Sequence, residues 1–398
     1  MIKFCIAGNN NIAVDLLYFS FKYFDKSDIC VLLNNNDINR NTWQKSLGFF
    51  ANIEKVTILD LEDVQKIQNI IFFSAQYDKI IKPDRFVTTE LFNLHFSYLP
   101  EYKGMYPSIM PILECKKYSG VTLHKIDRGI DTGDIIAQKK YLIKNLTAEQ
   151  LYKKNLKEGF NLIAENFEII INKKYKTTKQ PVLNSTYVSK ARIDFSDLEI
   201  NMSQTAFQIS RYIDAFNFRV YQLARFQGDK INKSKILKTK STLKPGTVLS
   251  RNYESITIST IDYDIKLYID FCDDLLECCK NNDIEKTRKI ISYIDHPDFI
   301  TKEGWTPLMI AAYHGSYEVF KLLIENNADF NATNFNNTTV LMFSKDGYVK
   351  TKDIRIFDLL VKIGANKYFK DIYGKTIFDY CEIIDILAYK DNNYCNKQ

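Results

Sequence analysis

The sequence predicts an α/β domain with a mostly parallel sheet, then a small β-rich (α+β) domain, then an all-α module of stacked helix pairs. Three observations carry this prediction. Over the first part of the chain, short apolar runs alternate with segments long enough for crossover helices. From about Gln180 the pattern changes to one helix followed by several short strands. In the last third, Thr306-Pro307-Leu308 returns as Thr339-Val340-Leu341, an internal repeat.

In the first domain, Ile2–Ala7 is a short apolar run, Gly8-Asn9-Asn10-Asn11 reads as a turn, and Ile12–Phe24 has helical apolar spacing. Ile29–Leu33, Lys55–Leu59, Ile70–Phe73 and Phe92–Phe96 read as the strands that follow. Three asparagines after Gly8 stand where G-x-G-x-x-G would be, so an NAD-dependent oxidoreductase finds no support. Val121–Ile126 and Ile135–Leu142 read as two strands joined by Asp127–Asp134, and Leu151–Ile171 as the helix that closes the domain. Lys173–Lys179, basic and polar, reads as a linker. The second domain is expected to hold a helix at Ser203–Phe216 and turns at Gly228-Asp229 and Pro245-Gly246. The expected divisions are residues 1–180, 181–270 and 271–398.

In the repeat region, Gly374-Lys375-Thr376 opens a further copy. Ala311-Ala312, Gly315, Leu322-Leu323 and Asn327-Ala328-Asp329 fall at the positions of an ankyrin unit, whose period is about 33 residues. One repeat earlier, Leu275 and Cys278-Cys279 match Leu308 and Ala311-Ala312. Small residues let helix pairs stack closely, and Thr306-Pro307 sets the turn that starts a helix. The third unit is expected to be longer by about four residues around Lys345–Lys352. Trp305 stands at the variable position of the ankyrin turn, where side chains usually face a ligand or partner. It is either an exposed anchor, and so a candidate regulatory ligand site, or packed on the enzyme body.

An apolar share of 45% with 26% charged residues is that of a soluble globular chain. A net charge of +6 is too weak and dispersed to imply nucleic acid. No apolar run approaches the roughly 20 residues of a membrane span, and Met1–Gly8 is too short, and broken by Lys3, for a secretory signal. The eight cysteines (Cys5, Cys30, Cys115, Cys272, Cys278, Cys279, Cys381 and Cys395) form no C-x-x-C pair, so free thiols in a reducing cytoplasm and no structural metal are expected.

His95 and His124 are the histidines of roughly the first two-thirds, while His296 and His314 lie in the repeats. Asn93 and His95 share one face of a strand, because alternate residues point the same way. Alone, such a pair is as well explained by a satisfied buried contact at a strand end. Asp131 alone is ordinary turn chemistry in Asp131-Thr132-Gly133-Asp134. A calcium loop fails, since the last ligand position, counting from Asp127, is Gln138 rather than Glu.

Together and in order the pieces say more. The chain runs Asn93-Leu94-His95-Phe96-Ser97-Tyr98-Leu99-Pro100, then Gly120-Val121-Thr122-Leu123-His124, then Asp131-Thr132-Gly133. This resembles the folate-dependent formyltransferases, with their N-x-H-x-S-x-L-P, G-x-T-x-H and D-x-G motifs. The family includes glycinamide ribonucleotide, methionyl-tRNA and sugar N-formyltransferases. The resemblance implies a Rossmann-like formyltransferase domain with Asn93, His95 and Asp131 as catalytic trio and N10-formyltetrahydrofolate as co-substrate, without a metal. An imidazole can take the amine proton near neutral pH, and an amide can donate to the developing oxyanion, worth ~3–4 kcal/mol. Asp131 would orient and support the imidazole. His124 matches the family's second histidine, read as structural bracing of the Asp131 loop. Folate would lie against the loop Gln76, Tyr77, Asp78, Lys79, Ile80 and Ile81.

The resemblance also narrows the acceptor. A glycinamide ribonucleotide enzyme is usually one domain, which the expected second domain argues against. Tyr102, Lys103, Gly104, Met105 and Tyr221 are the candidate substrate contacts, with Lys103 or Lys79 to meet a diphosphate. Tyr212, Phe216, Phe218, Tyr221 and Phe226 would suit a planar base or a core. The ankyrin tail is associated, by architecture, with enzymes acting on dTDP-linked 3-amino-3,6-dideoxyhexoses for the O-antigen of bacterial lipopolysaccharide. The expected enzyme is a cytoplasmic homodimer that formylates such a nucleotide-linked amino sugar, with no nucleic-acid or membrane partner. The alternatives are a methionyl-tRNA formyltransferase, or an ankyrin interaction protein carrying an inactive formyltransferase scaffold.

Overall fold

The computed structural model describes residues 3–381. Ile2, Cys395 and residues 382–398 of the expected third domain lie outside the described residues. The chain packs as two compact units divided after Ile269, residues 41–43 grouping with the second.

The first unit opens with β1 (Phe4–Gly8), α1 (Asn10–Ser20), β2 (Ile29–Leu33), α2 (Leu47–Glu54), β3 (Thr57–Ile58), α3 (Leu61–Gln65), β4 (Ile71–Ala75) and β5 (Leu91–His95). It continues through β6 (Lys103–Gly104), α4 (Met110–Leu113), β7 (Tyr118–Lys125), β8 (Ile135–Leu142) and α5 (Ala148–Ile171). Seven strands form one sheet in the order β3-β2-β1-β4-β5-β7-β8. Pairing is parallel from β3 across to β5 and antiparallel for β5-β7 and β7-β8, so the α/β sheet is mixed at one side.

Strands buried on both faces need continuous apolar runs, and Phe4, Cys5, Ile6 and Ala7 of β1 are all fully buried. On one face Phe167 of α5 meets Phe4 and Phe19 edge-on at 5.4 and 5.3 Å. On the other, Cys5, Leu32, Phe72, Ile81 and Phe86 cluster. The turn after β1 requires glycine, because a Cβ on Gly8 would lie 2.0 Å from the Ala75 carbonyl oxygen. Asn10 takes a φ of 65° and accepts the Ile12 N–H on its side chain. That local bond starts α1 ahead of the expected Ile12.

Lys173–Lys179 is not the free linker its composition predicts. Thr178 and Ile135 exchange backbone hydrogen bonds of 2.8 Å each way. Tyr175 donates to Glu90 at 2.8 Å and packs edge-on against Phe92. The lysines face solvent, which made an anchored segment look polar throughout.

The β-rich region begins with β9 (Tyr187–Val188), which pairs with β6. A Thr205/Gln208 capping box starts α6 (Ala206–Phe216). There follow β10 (Ala224–Phe226), β11 (Asp229–Ile236), β12 (Val248–Arg251), β13 (Ser255–Ile258) and β14 (Ile265–Ile269). These five form an antiparallel sheet in the order β10-β11-β14-β13-β12. Phe216, Phe218 and Phe226 are buried there as core.

The second unit carries α7 (Cys272–Asn281), α8 (Ile284–Ile290), α9 (Pro307–His314), α10 (Tyr317–Glu325), α11 (Val340–Thr351), α12 (Arg355–Lys362) and α13 (Ile377–Tyr380). Its period shows in the caps: Thr306 and Thr339 hydroxyls accept the Met309 and Met342 N–H at 3.3 and 3.2 Å. Leu275, Cys278, Cys279, Leu308, Ala311 and Ala312 are all buried at the matching positions. The extra residues of the third unit lengthen a helix, α11 having 12 residues against 8 in α9. A Cβ on Gly347 would lie 2.0 Å from the Ala312 carbonyl oxygen, so α11 approaches α9 as closely as glycine permits. Trp305 is half-buried rather than an exposed anchor: its ring meets Phe343 at 4.6 Å and Tyr313 at 5.3 Å, within the repeats. The described cysteines are free thiols, and no helix among the described residues is long and apolar enough to cross a membrane.

Candidate active site

The carboxyl ends of parallel strands are where open α/β sheets bind ligands, and β5 ends there on His95. Strand alternation places Asn93 and His95 on one face. Antiparallel pairing with β7 sets His124 directly opposite Asn93 and Thr122 opposite His95. The cross-strand contact follows: Asn93 Nδ2–H donates to His124 Nε2 at 3.1 Å. His124 Nδ1–H donates to the Lys125 carbonyl at 2.7 Å, which makes Nε2 the acceptor.

Asp131 enters on the β7–β8 loop. Asp127 shapes its first half, accepting the Gly129 N–H at 3.1 Å and the Thr132 hydroxyl at 2.6 Å. Gly133 lets the loop pass against β7, where a Cβ would lie 1.9 Å from the Lys125 carbonyl oxygen. Between them Asp131 adopts a left-handed φ of 53°. Its Oδ1 accepts from Asn93 Nδ2 at 3.1 Å and its Oδ2 from the Gly104 N–H at 2.9 Å. His95 Nδ1 lies 3.4 Å from Oδ2, and His124 Nε2 lies 3.5 Å from Oδ1. Burial pushes the Asp131 pKa up, but His95, His124 and the Gly104 N–H outweigh it and hold the carboxyl well below its usual range. The carboxylate is therefore ionised at neutral pH.

His95 Nε2–H donates to the Tyr102 carbonyl at 2.8 Å, so Nδ1 is the nitrogen that faces Asp131. This carbonyl is aimed by a φ of 58° at Tyr102. The same turn sends the Tyr102 ring into a cluster with Met110 and Val188, its hydroxyl donating to Glu114 at 2.5 Å. Tyr102, a candidate substrate contact, holds the imidazole through its main chain. The loop above is ordered by Thr122, whose hydroxyl donates to the Ser97 carbonyl at 2.7 Å. It also accepts from the Leu99 N–H and Gln138 Nε2 at 3.1 and 2.9 Å.

The structure thus brings Asn93, His95, His124, Asp131 and Gly104 together. Lys103 lies beside them, lining a groove of about 290 Å³ with Thr132, Lys179, Gln180 and Ser185. Met105 and Tyr221 are exposed, the Tyr221 ring lying 4.9 Å from Phe218. The loop at 76–81 leaves β4 next to β5, since Ser74 pairs with Asn93. Asn34 pins it, donating to the Gln76 carbonyl at 2.9 Å and accepting the Asp78 N–H at 3.2 Å. Lys79 and Ile80 are exposed, whereas the Ile81 side chain belongs to the core. The Tyr102 carbonyl and Gly104 N–H carry no side-chain signature, so sequence reasoning assigned those residues differently. Gln180 it missed altogether, whereas Thr122 was visible in G-x-T-x-H. Among the described residues no His, Cys, Asp and Glu side chains gather as a metal-binding group.

The family profile described as formyl transferase matches residues 60–166, and one for three ankyrin repeats matches residues 275–371. The chain belongs to the formyltransferase family, and its enzymatic chemistry is formyl transfer. Among solved structures it is similar to WlaRD, described as a sugar 3N-formyl transferase in the presence of dTDP and 5-N-formyl-THF. Identity is 43%, coverage 68% of this chain and 98% of that one, and the TM-score 0.63. An N-formyltransferase from Helicobacter canadensis, in complex with folinic acid and dTDP-3-aminofucose, is 41% identical over 68% of this chain and 100% of that one, with a TM-score of 0.63. Among curated proteins, the methionyl-tRNA formyltransferase of Prochlorococcus marinus is 26% identical, covering 59% of this chain and 82% of that enzyme. The match to that of Coxiella burnetii is 28% identical and covers 42% of this chain and 54% of the Coxiella enzyme, about half its length.

Proposed function

We propose that this chain formylates the amine of a dTDP-linked amino-deoxy sugar, a 3-amino-3,6-dideoxyhexose. The single observation that carries the reading is the 43% identity to a sugar 3N-formyl transferase over 98% of its length. The methionyl-tRNA alternative rests on matches such as 26% and 28% and is not favoured. The clustered Asn93, His95 and Asp131 argue against an inactive scaffold.

N10-formyltetrahydrofolate, as co-substrate, supplies the formyl group, and the loop at 76–81, with Lys79 and Ile80 exposed, is assigned to the edge of its ring. His95, fixed by the Tyr102 carbonyl, takes the proton released by the acceptor amine as the new C–N bond forms and returns it to N10 as the formyl–N10 bond breaks, so tetrahydrofolate leaves as a neutral amine. Nδ1 is the nitrogen free of that carbonyl. Asp131 supports the resulting imidazolium at 3.4 Å. The Asn93 amide donates to the negative charge that develops on the formyl oxygen, exchanging one of its bonds to His124 or Asp131 to do so. His124 keeps Asn93 and Asp131 in register. Lys103, Gly104, Met105 and Tyr221 are assigned to the acceptor side, and Lys103 and Lys179 supply positive charge for its diphosphate.

We assign catalysis to residues 1–180, acceptor positioning and dimerisation to 181–270, and binding of a second ligand or a protein to 271–398. A cytoplasmic homodimer serving O-antigen synthesis is the setting this reading implies. The half-buried Trp305 remains the candidate ligand contact of the repeats: Trp305→Ala should remove a second bound nucleotide sugar and alter the steady-state curve. Unchanged stoichiometry and an unchanged curve would end that idea. The acceptor is tested by steady-state kinetics with dTDP- and UDP-linked amino sugars. Higher kcat/KM for the dTDP sugar is expected, and equal values would remove the nucleotide assignment.

A further inference from the structure

Beyond α5 the chain returns along β8, where Thr178 and Ile135 exchange their backbone bonds. Two residues further on, Gln180 Nε2 donates to the Asp131 carbonyl and to the Gly133 carbonyl, each at 2.8 Å. Those carbonyls belong to the left-handed Asp131 and to the tightly fitted Gly133 themselves, one on each side of Thr132. Asp127 ties the loop from inside through the Gly129 N–H and the Thr132 hydroxyl, whereas Gln180 holds the main chain on either side of Thr132 from outside the loop.

The rest of the Gln180 amide shows what this arrangement is for. Its Oε1 is buried and has no hydrogen-bond partner among the described residues. Turning the amide over would set that oxygen against two carbonyl oxygens, so the side chain leaves one acceptor unsatisfied in order to bridge the loop. Only an NH2 with two protons can meet both carbonyls at once.

We infer that Gln180 is a positioning residue for formyl transfer, holding the Asp131 loop so that its carboxylate reaches His95, His124 and the Gly104 N–H together. This rests on the proposed function for the reaction, but not for the geometry. The titratable groups facing Asp131 are His95 from β5 and His124 from β7.

The test is Gln180→Met, which keeps the length and removes both donors, with Gln180→Glu as a second variant should the first not fold. In full-length protein of unchanged thermal transition, kcat should fall about 10- to 100-fold with KM for donor and acceptor nearly constant. The Asp131 carboxyl, followed by carbon-13 NMR without substrates, should titrate closer to an ordinary carboxylate as it loses its partners. An unchanged kcat, or a lower kcat with an unmoved Asp131 titration, would overturn the inference. Because the titration needs no acceptor, it stands even if the proposed sugar proves wrong.

Discussion

Replacing His95 with Asn should lower kcat by about 10²- to 10⁴-fold while leaving the thermal transition close to the parent's. The expectation follows from how the ring is held. Nε2 is committed to the Tyr102 carbonyl, so the imidazole offers the reaction one nitrogen, Nδ1, facing Asp131 at 3.4 Å. An Asn side chain can still reach a neighbouring acceptor but cannot take an amine proton at neutral pH. KM for the acceptor should change little, since the proton is held only as the bond forms. A folded variant with near-parent turnover would remove His95 as the base.

Asp131→Asn should cost about 10²- to 10³-fold in kcat, because it deletes the fixed negative charge beside the imidazolium while keeping the shape. It also has a stability signature whose sign is set by the depressed carboxyl. The unfolded chain titrates this group at about 3.9. A folded value below that stabilises the fold at all pH values above the unfolded one, and the contribution is lost as pH falls through the folded value. The variant should therefore be less stable than the parent at neutral pH, by about 1–3 kcal/mol, and the gap should begin to narrow only below pH of about 4, shrinking further toward the depressed folded value. Urea denaturation at several pH values checks this. A gap that widens on acidification would contradict the ionised, partnered carboxylate.

What could be read in advance divides by physical origin. β2 and β8 were legible to the residue because bounded apolar or alternating runs define a strand. Asn93 and His95 were legible as a same-face pair because strand alternation turns spacing into position, whereas His124 was placed only through the family resemblance. Elements set by one local bond were read less well, as with Asn10 at the start of α1. The least legible features depend on main-chain groups or on distant partners. The Tyr102 carbonyl and the Gly104 N–H could not be seen as holders of His95 and Asp131, since any residue has such groups. The Lys173–Lys179 segment looked free because its exposed lysines mask two backbone bonds and the single tyrosine that anchors it. Trp305 was left between an exposed anchor and a residue packed on the enzyme body, because Phe343, which meets its ring, lies in the next repeat.

The central claim is that the Asn93–His95–Asp131 cluster moves a formyl group onto the amine of a dTDP-linked sugar. The most direct measurement offers the full-length chain N10-formyltetrahydrofolate with equal amounts of a dTDP-3-amino-3,6-dideoxyhexose and charged initiator tRNA. Products are then read by mass spectrometry. The account predicts a formamide on the sugar, none on the tRNA, and sugar formamide forming about 10²- to 10⁴-fold more slowly with His95→Asn. Formyl-methionyl-tRNA as the main product, or sugar formamide formed equally well by His95→Asn, would contradict it.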